Sequence, residues 1–314
     1  MQTEQISEVT DAGPGGAREA RDLRVASSSA LAASALVSKV FGRQQTPPPQ
    51  IPKPLEPLAL EDPNVVHAPL AFRSGGATLN GYLARPKAPG RYTPVVIFSP
   101  NPGLTDDLRN TAAQLAQGGF LGLAYDTYSR HPGITVGEVR ERFDYFAGRK
   151  FDEQNRRDTA AGIEHLRRQP YSGRGRVGVM GFCGGARQAL IFSTESREVG
   201  AVVNFYAPPV LNPAAYQSRK GPFKLDVMDV LDKIRVPVQA HYGAADPIIP
   251  LADVERLERD LKAQGTPTEV YVYEGAAHAF YAFTRRNFRP EAAKLARERM
   301  IQFFRKHLGE GRRQ

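Results

Sequence analysis

The chain's one cysteine, Cys183, stands among glycines in Gly181-Phe182-Cys183-Gly184-Gly185. The apolar run Val177-Gly178-Val179-Met180 precedes it, and the helix-forming stretch Ala186-Arg187-Gln188-Ala189-Leu190 follows. A strand, a tight glycine turn and a helix in that order form a nucleophile turn of the G-x-S-x-G type, with sulfur in place of oxygen. The turn is so sharp that the central residue is strained and neighbouring side chains would collide, which is why glycines flank it. The helix behind it aims its positive end at the sulfur and favours thiolate. The alternative is a buried, inert cysteine before a glycine-rich helix start, and the pentapeptide by itself does not separate the two.

The rest of the chain carries the same alternation. Strands are expected at Leu79–Arg85, Val95–Phe98, Phe120–Tyr125, Val177–Met180, Ala201–Tyr206, Val236–Tyr242 and Val270–Tyr273. Val95-Val96-Ile97-Phe98 is an unbroken apolar run, suited to a strand buried on both faces. Helices are expected between them. One is capped by Thr105 and carries Leu108, Ala112 and Leu115. A second covers Arg157–Arg168, and a third carries Leu251, Val254, Leu257 and Leu261. A terminal helix is lined by Leu295, Met300, Phe303 and Leu308. This pattern predicts an α/β fold with a mainly parallel sheet covered by helices on both faces, and sites in such sheets form at the carboxyl ends of the strands.

An apolar content of 41% in 314 residues is enough for one sizeable core. The expected division is an extension, residues 1–60, and a catalytic domain, residues 61–314. The extension is polar and glycine-rich at first, then proline-dense from Pro47 to Pro57, which favours an extended spacer. Residues 25–41 are Ala/Ser/Val/Leu-rich but diluted by five serines. They read as a plain extension on a cytoplasmic protein, with an export signal as the alternative. A single cysteine excludes an intramolecular disulfide. The net charge of +9 is spread over helices without a basic run interleaved with aromatics, so nucleic acid is not an expected partner. No apolar stretch is long enough to span a membrane.

A thiol nucleophile needs a base, and the base needs a carboxylate to orient it. Three histidines follow Cys183. His307 lies in the terminal helix and His241 inside a strand, where a packing role is expected for each. His278 falls in Glu274-Gly275-Ala276-Ala277-His278, a small-residue loop after a strand. Asp246, in Tyr242-Gly243-Ala244-Ala245-Asp246-Pro247, also follows a strand. Each has an ordinary reading, as a solvated loop histidine and an Asx turn before proline. Together they give the order nucleophile, acid, histidine, at separations of 63 and 32 residues.

With these motifs the chain resembles the dienelactone hydrolase family of α/β-hydrolases over roughly residues 66–309. The resemblance also draws on Tyr125-Asp126-Thr127-Tyr128-Ser129-Arg130 and on the closing helix with Leu295, Ala296, Glu298 and Phe303-Phe304. It implies a Cys183–Asp246–His278 triad that hydrolyses an ester or enol-lactone bearing a carboxylate. It further implies that Arg130 pairs with that carboxylate. Two family positions depart from the pattern. A glutamate expected near the thiol is Pro100, and a second carboxylate-binding arginine is Ala282, with Arg285 or Arg286 as candidates to replace it.

An oxyanion hole needs backbone N–H donors. Gly184, after the nucleophile, is one candidate. In the loop Ser99–Gly103 the prolines have no N–H, which leaves Asn101 as the best-placed second donor. No metal or cofactor motif is present, so none is expected. The small-molecule substrate would be an ester or lactone. The competing readings are a general short-chain carboxylesterase, a non-catalytic binding protein on a hydrolase scaffold, and a basic protein associated with nucleic acid.

Overall fold

The computed structural model describes residues 50–131, 149–210 and 226–309. The stretch at residues 25–41 lies outside them. Ile51–Gln314 forms one compact unit. Its centre is an eight-stranded sheet: β1 (Val65–Ser74), β2 (Ala77–Pro86), β3 (Thr93–Phe98), β4 (Phe120–Tyr125), β5 (Val177–Phe182), β6 (Val199–Phe205), β7 (Val238–Gly243) and β8 (Thr268–Tyr273). The spatial order is β1-β2-β4-β3-β5-β6-β7-β8. From β4 to β8 neighbouring strands run parallel, while β2 meets both β1 and β4 antiparallel.

β1 and β2 close through Gly75-Gly76, whose φ values of 46° and 81° are those of a two-residue hairpin turn that only glycine adopts without strain. Strands β3 to β7 are buried along their whole length, which explains apolar runs such as Val95–Phe98, while β7 also buries the polar Gln239 and His241. Five helices are described: α1 (Asp106–Gln117), α2 (Arg149–Arg167), α3 (Gly184–Glu195), α4 (Leu251–Ala263) and α5 (Pro290–Leu308).

Close approaches assign the helices to faces. Gly122 of β4 and Gly178 of β5 both stand in register with Val95 of β3. A Cβ on Gly122 would meet the Ala112 backbone of α1 at 2.7 Å, and one on Gly178 would meet Phe304 of α5 at 2.9 Å. α1 and α5 therefore share one face. A Cβ on Gly162 of α2 would meet Leu123, the next residue of β4, at 3.2 Å, and successive strand residues point to opposite faces. α2 packs on that second face with α3 beside it.

The expected elements are present, with differences that have physical causes. α2 starts at Arg149 rather than Arg157, because its first turns bury polar Asp152 and Asn155 instead of apolar residues. The terminal helix faces inward through Ala293, Ala296, Met300, Phe303 and Phe304, and Leu295 is instead 40% exposed. Thr105 holds the N-cap position of α1, but its hydroxyl lies 3.5 Å from the Asp107 carboxylate rather than on a backbone N–H. Residues ahead of β1 also pack onto the unit: Glu56 pairs with Lys294 and Arg297 of α5, and a 3₁₀ turn, Ala59–Glu61, rests against α1.

Candidate active site

β5 delivers Cys183 to the carboxyl edge of the sheet. The residue has φ 54° and ψ −125°, a conformation that non-glycine residues avoid. Its N–H is held by Phe205 O at 2.9 Å, and its carbonyl accepts from Ala186 and Arg187 at 3.0 and 3.2 Å. These bonds and the flanking glycines hold the strain in place. A Cβ on Gly181 would stand 2.5 Å from the Gly185 carbonyl carbon, and one on Gly185 would stand 2.5 Å from Phe98 O. Neither position admits a side chain.

Asp246 leaves the end of β7 in a tight turn. Its Oδ1 accepts from the N–H groups of Ile248 and Ile249 at 2.8 and 3.3 Å, which fixes the carboxylate. Its Oδ2 accepts from His278 Nδ1 at 2.8 Å. His278 follows β8, and its carbonyl takes a hydrogen bond from Asn287 Nδ2 at 3.0 Å. With Nδ1 engaged, Nε2 is the nitrogen left for the sulfur, and the imidazole is hydrogen-bonded to Cys183. Burial pulls the imidazole pKa down. The Cys183 charge and the hydrogen bonds the imidazole makes with Asp246 and Cys183 outweigh that and push it up to about 10. The three residues named from sequence are thus brought together by separate loops at one sheet edge.

Cys183 and His278 open into a cavity of about 770 Å³. Asn101, Tyr206, Arg285, Arg286 and Ile51 are among its walls. Asn101 lies on the β3–α1 loop, with its carbonyl held by Tyr128 Oη at 2.6 Å. Gly184 is the first residue of α3, so its N–H has no acceptor within the helix. Arg130 stands elsewhere. It binds Asp158 through Nε at 3.1 Å and Nη2 at 2.6 Å, its Nη2 also reaches Ser74 O at 2.7 Å, and it is not among the cavity's walls. His241 is fully buried between Tyr273 Oη and Gln239 Oε1, each at 2.9 Å, as its strand position implies. His307 packs on Phe303.

Sequence reasoning passed over Tyr206, which follows β6 at φ 44° and sets its ring 4.9 Å from the His278 ring. Burial and then the Cys183 charge hold its phenol far above the usual range, so it stays neutral. The strand-end rule that found Cys183 and Asp246 applies to it equally. Asp107 was passed over too: it accepts from Thr284 N and Oγ1 at 3.0 and 2.6 Å and so ties α1 to the loop bearing Arg285 and Arg286. Among the described residues no cluster of His, Cys, Asp and Glu has the composition of a metal site. No helix among them is long and apolar enough to cross a membrane.

Sheet order, helix placement and the strained residue after β5 define an α/β-hydrolase. Within that class, the dienelactone hydrolase family pattern matches residues 79–308, and the chain belongs to this family. It is a hydrolase of the carboxylic ester and lactone class. A carboxymethylenebutenolidase of Pseudomonas putida is 27% identical over 235 residues, covering 73% of this chain and 91% of that protein. A Synechocystis protein assigned the same activity is 28% identical, covering 73% and 92%. A crystal structure from Klebsiella pneumoniae, assigned as a dienelactone hydrolase, superposes with TM-score 0.68 at 26% identity, covering 77% of this chain and 99% of that one.

Proposed function

We propose that Cys183, His278 and Asp246 act as a triad that hydrolyses an ester or lactone through a thioester acyl-enzyme. The observation that carries this reading is the imidazole joined to Asp246 Oδ2 at 2.8 Å on one side and to the sulfur on the other. An imidazolium beside the sulfur favours the thiolate form. The thiolate attacks the carbonyl carbon, and the C=O electron pair moves to oxygen. The backbone N–H groups of Gly184 and Asn101 stabilise that oxyanion. Its collapse expels the alkoxide or enolate, which takes the proton of His278. Water then gives a proton to His278 and attacks the thioester, and collapse returns the thiolate and releases the acid.

The substrate of this reading carries an anionic group. Arg285 and Arg286 at the cavity wall supply the positive end, because Arg130 would first have to give up Asp158 and Ser74. A less selective carboxylesterase is the second reading, favoured by Pro100 and Ala282 at the two departing positions. The triad is tested by Cys183→Ala on a chromogenic short-chain ester. The expected loss in kcat is at least about 10³-fold, since removing a triad nucleophile leaves only binding and the oxyanion hole. Near-full activity in that folded variant would end the triad reading. Comparing a carboxylate-bearing lactone with a neutral ester decides between the two substrate classes.

A further inference from the structure

The β3–α1 loop holds a buried donor with nothing to donate to. Asn101 is 9% exposed, and its Nδ2 has no hydrogen-bond partner. A buried unsatisfied N–H is destabilising, and a loop that needed the amide for its own shape would have paired it. This loop has other means of holding shape. Pro100 and Pro102 fix two of its φ angles. Gly103 N–H bonds to Pro100 O at 2.8 Å, Ser99 Oγ donates to Tyr125 O at 2.7 Å, and Tyr128 Oη donates to Asn101 O at 2.6 Å. The carboxamide nitrogen is left over from all of these bonds, and Asn101 is among the residues that line the cavity Cys183 and His278 share.

We propose that the Asn101 side-chain amide is a hydrogen-bond donor to an oxygen of the substrate's reacting acyl group. The proposal rests on the reading of this cavity as the site of ester hydrolysis, and it adds a side-chain donor to the two backbone N–H groups. A neutral amide suits the position. It supplies an N–H without a positive charge that would compete with His278 for the thiolate. Loop rigidity holds it in place before the substrate arrives, and electrostatic stabilisation of a developing oxyanion requires such preorganisation.

The test uses Asn101→Ala and the near-isosteric Asn101→Asp, both of which keep the backbone N–H at residue 101. Steady-state ester hydrolysis, thermal midpoint and the rate of Cys183 alkylation by iodoacetamide are measured for each. We expect kcat to fall by about 10²- to 10³-fold in Asn101→Ala, as for other side-chain oxyanion donors. KM, thermal midpoint and alkylation rate should stay close to those of the native chain, because Nδ2 holds no structural bond. Asn101→Asp should lose at least as much, since it has the shape without the donor. Native kcat in either variant would overturn the proposal. So would a loss of activity in Asn101→Ala that a lower midpoint and a smaller alkylatable fraction account for in full. The triad reading fails separately, through an active Cys183→Ala, and the effect of Asn101→Ala on native hydrolysis is read out whichever way that falls.

Discussion

A guanidinium serves a substrate only if nothing else has claimed it. Arg130 makes three hydrogen bonds at 2.6–3.1 Å to Asp158 and Ser74, and Asp158 also accepts from Ser74 Oγ and Gln154. Arg130→Ala should therefore lower activity on neutral and carboxylate-bearing esters by the same factor, through the loop it pins. Arg285→Ala or Arg286→Ala should cost about tenfold more on the anionic substrate than on the neutral one, since charge-assisted pairs exceed neutral ones. Paired kcat/KM values decide the matter, and a selective loss in Arg130→Ala would return the anion site to it. The contrast shows which side chains can be read from a linear chain. That Cys183, Asp246 and His278 would meet at one sheet edge was legible because each sits in a local turn whose residues serve that turn. Asp158, the carboxylate partner of Arg130, lies 28 residues away on a different element, and no local pattern announces it.

The polar face of α2 is the clearest case of an element hidden from hydrophobic periodicity. Its inward positions Asp152, Asn155, Asp158 and Thr159 are buried, and they pair with Arg187, Tyr125 and Arg130 rather than with apolar side chains, although Asn155 Nδ2 is left without a partner. Arg187, only 2% exposed on α3, reaches Asp152 with Nη2 at 2.7 Å and Nη1 at 3.2 Å. Gln188 joins the same carboxylate. Arg187→Met should destabilise the fold by about 3–5 kcal/mol, because Asp152 is left as a buried charge. Adding Asp152→Leu should recover most of that loss, and urea unfolding of the two variants checks both values. A double variant no more stable than Arg187→Met would mean that the pair acts through something other than charge. β1 escaped sequence reading for a different reason. It carries Pro69 and an irregular burial pattern, which only an edge strand tolerates, so neither alternation nor an apolar run marks it. The central strands were legible to within two residues at each end, because full burial leaves mostly apolar runs.

At the scale of the whole unit, one residue at its centre makes the fold sensitive to acid. Burial, and then the charge of Arg299, pulls the pKa of His241 down to about 3 from an ordinary 6.5. A depressed histidine is neutral when folded and takes up a proton when unfolded. Its contribution is fully present above pH 6.5 and is lost as the pH falls from 6.5 toward about 3. At pH 5 the loss relative to neutral pH is about 2 kcal/mol. The thermal midpoint should fall between pH 7 and pH 5, and His241→Gln should flatten that slope even if it lowers the midpoint at pH 7. An unchanged slope in the variant would assign the acid sensitivity to other groups.

Ile51 belongs to the cavity wall although it stands 14 residues ahead of β1. The segment that carries the family pattern begins only at residue 79. One side of the substrate's surroundings is therefore written outside the part of the chain that defines its kinship. Replacements around Ile51 could retune which acyl group fits while leaving every residue of the family signature untouched. Two relatives indistinguishable by that signature could then differ in what they accept.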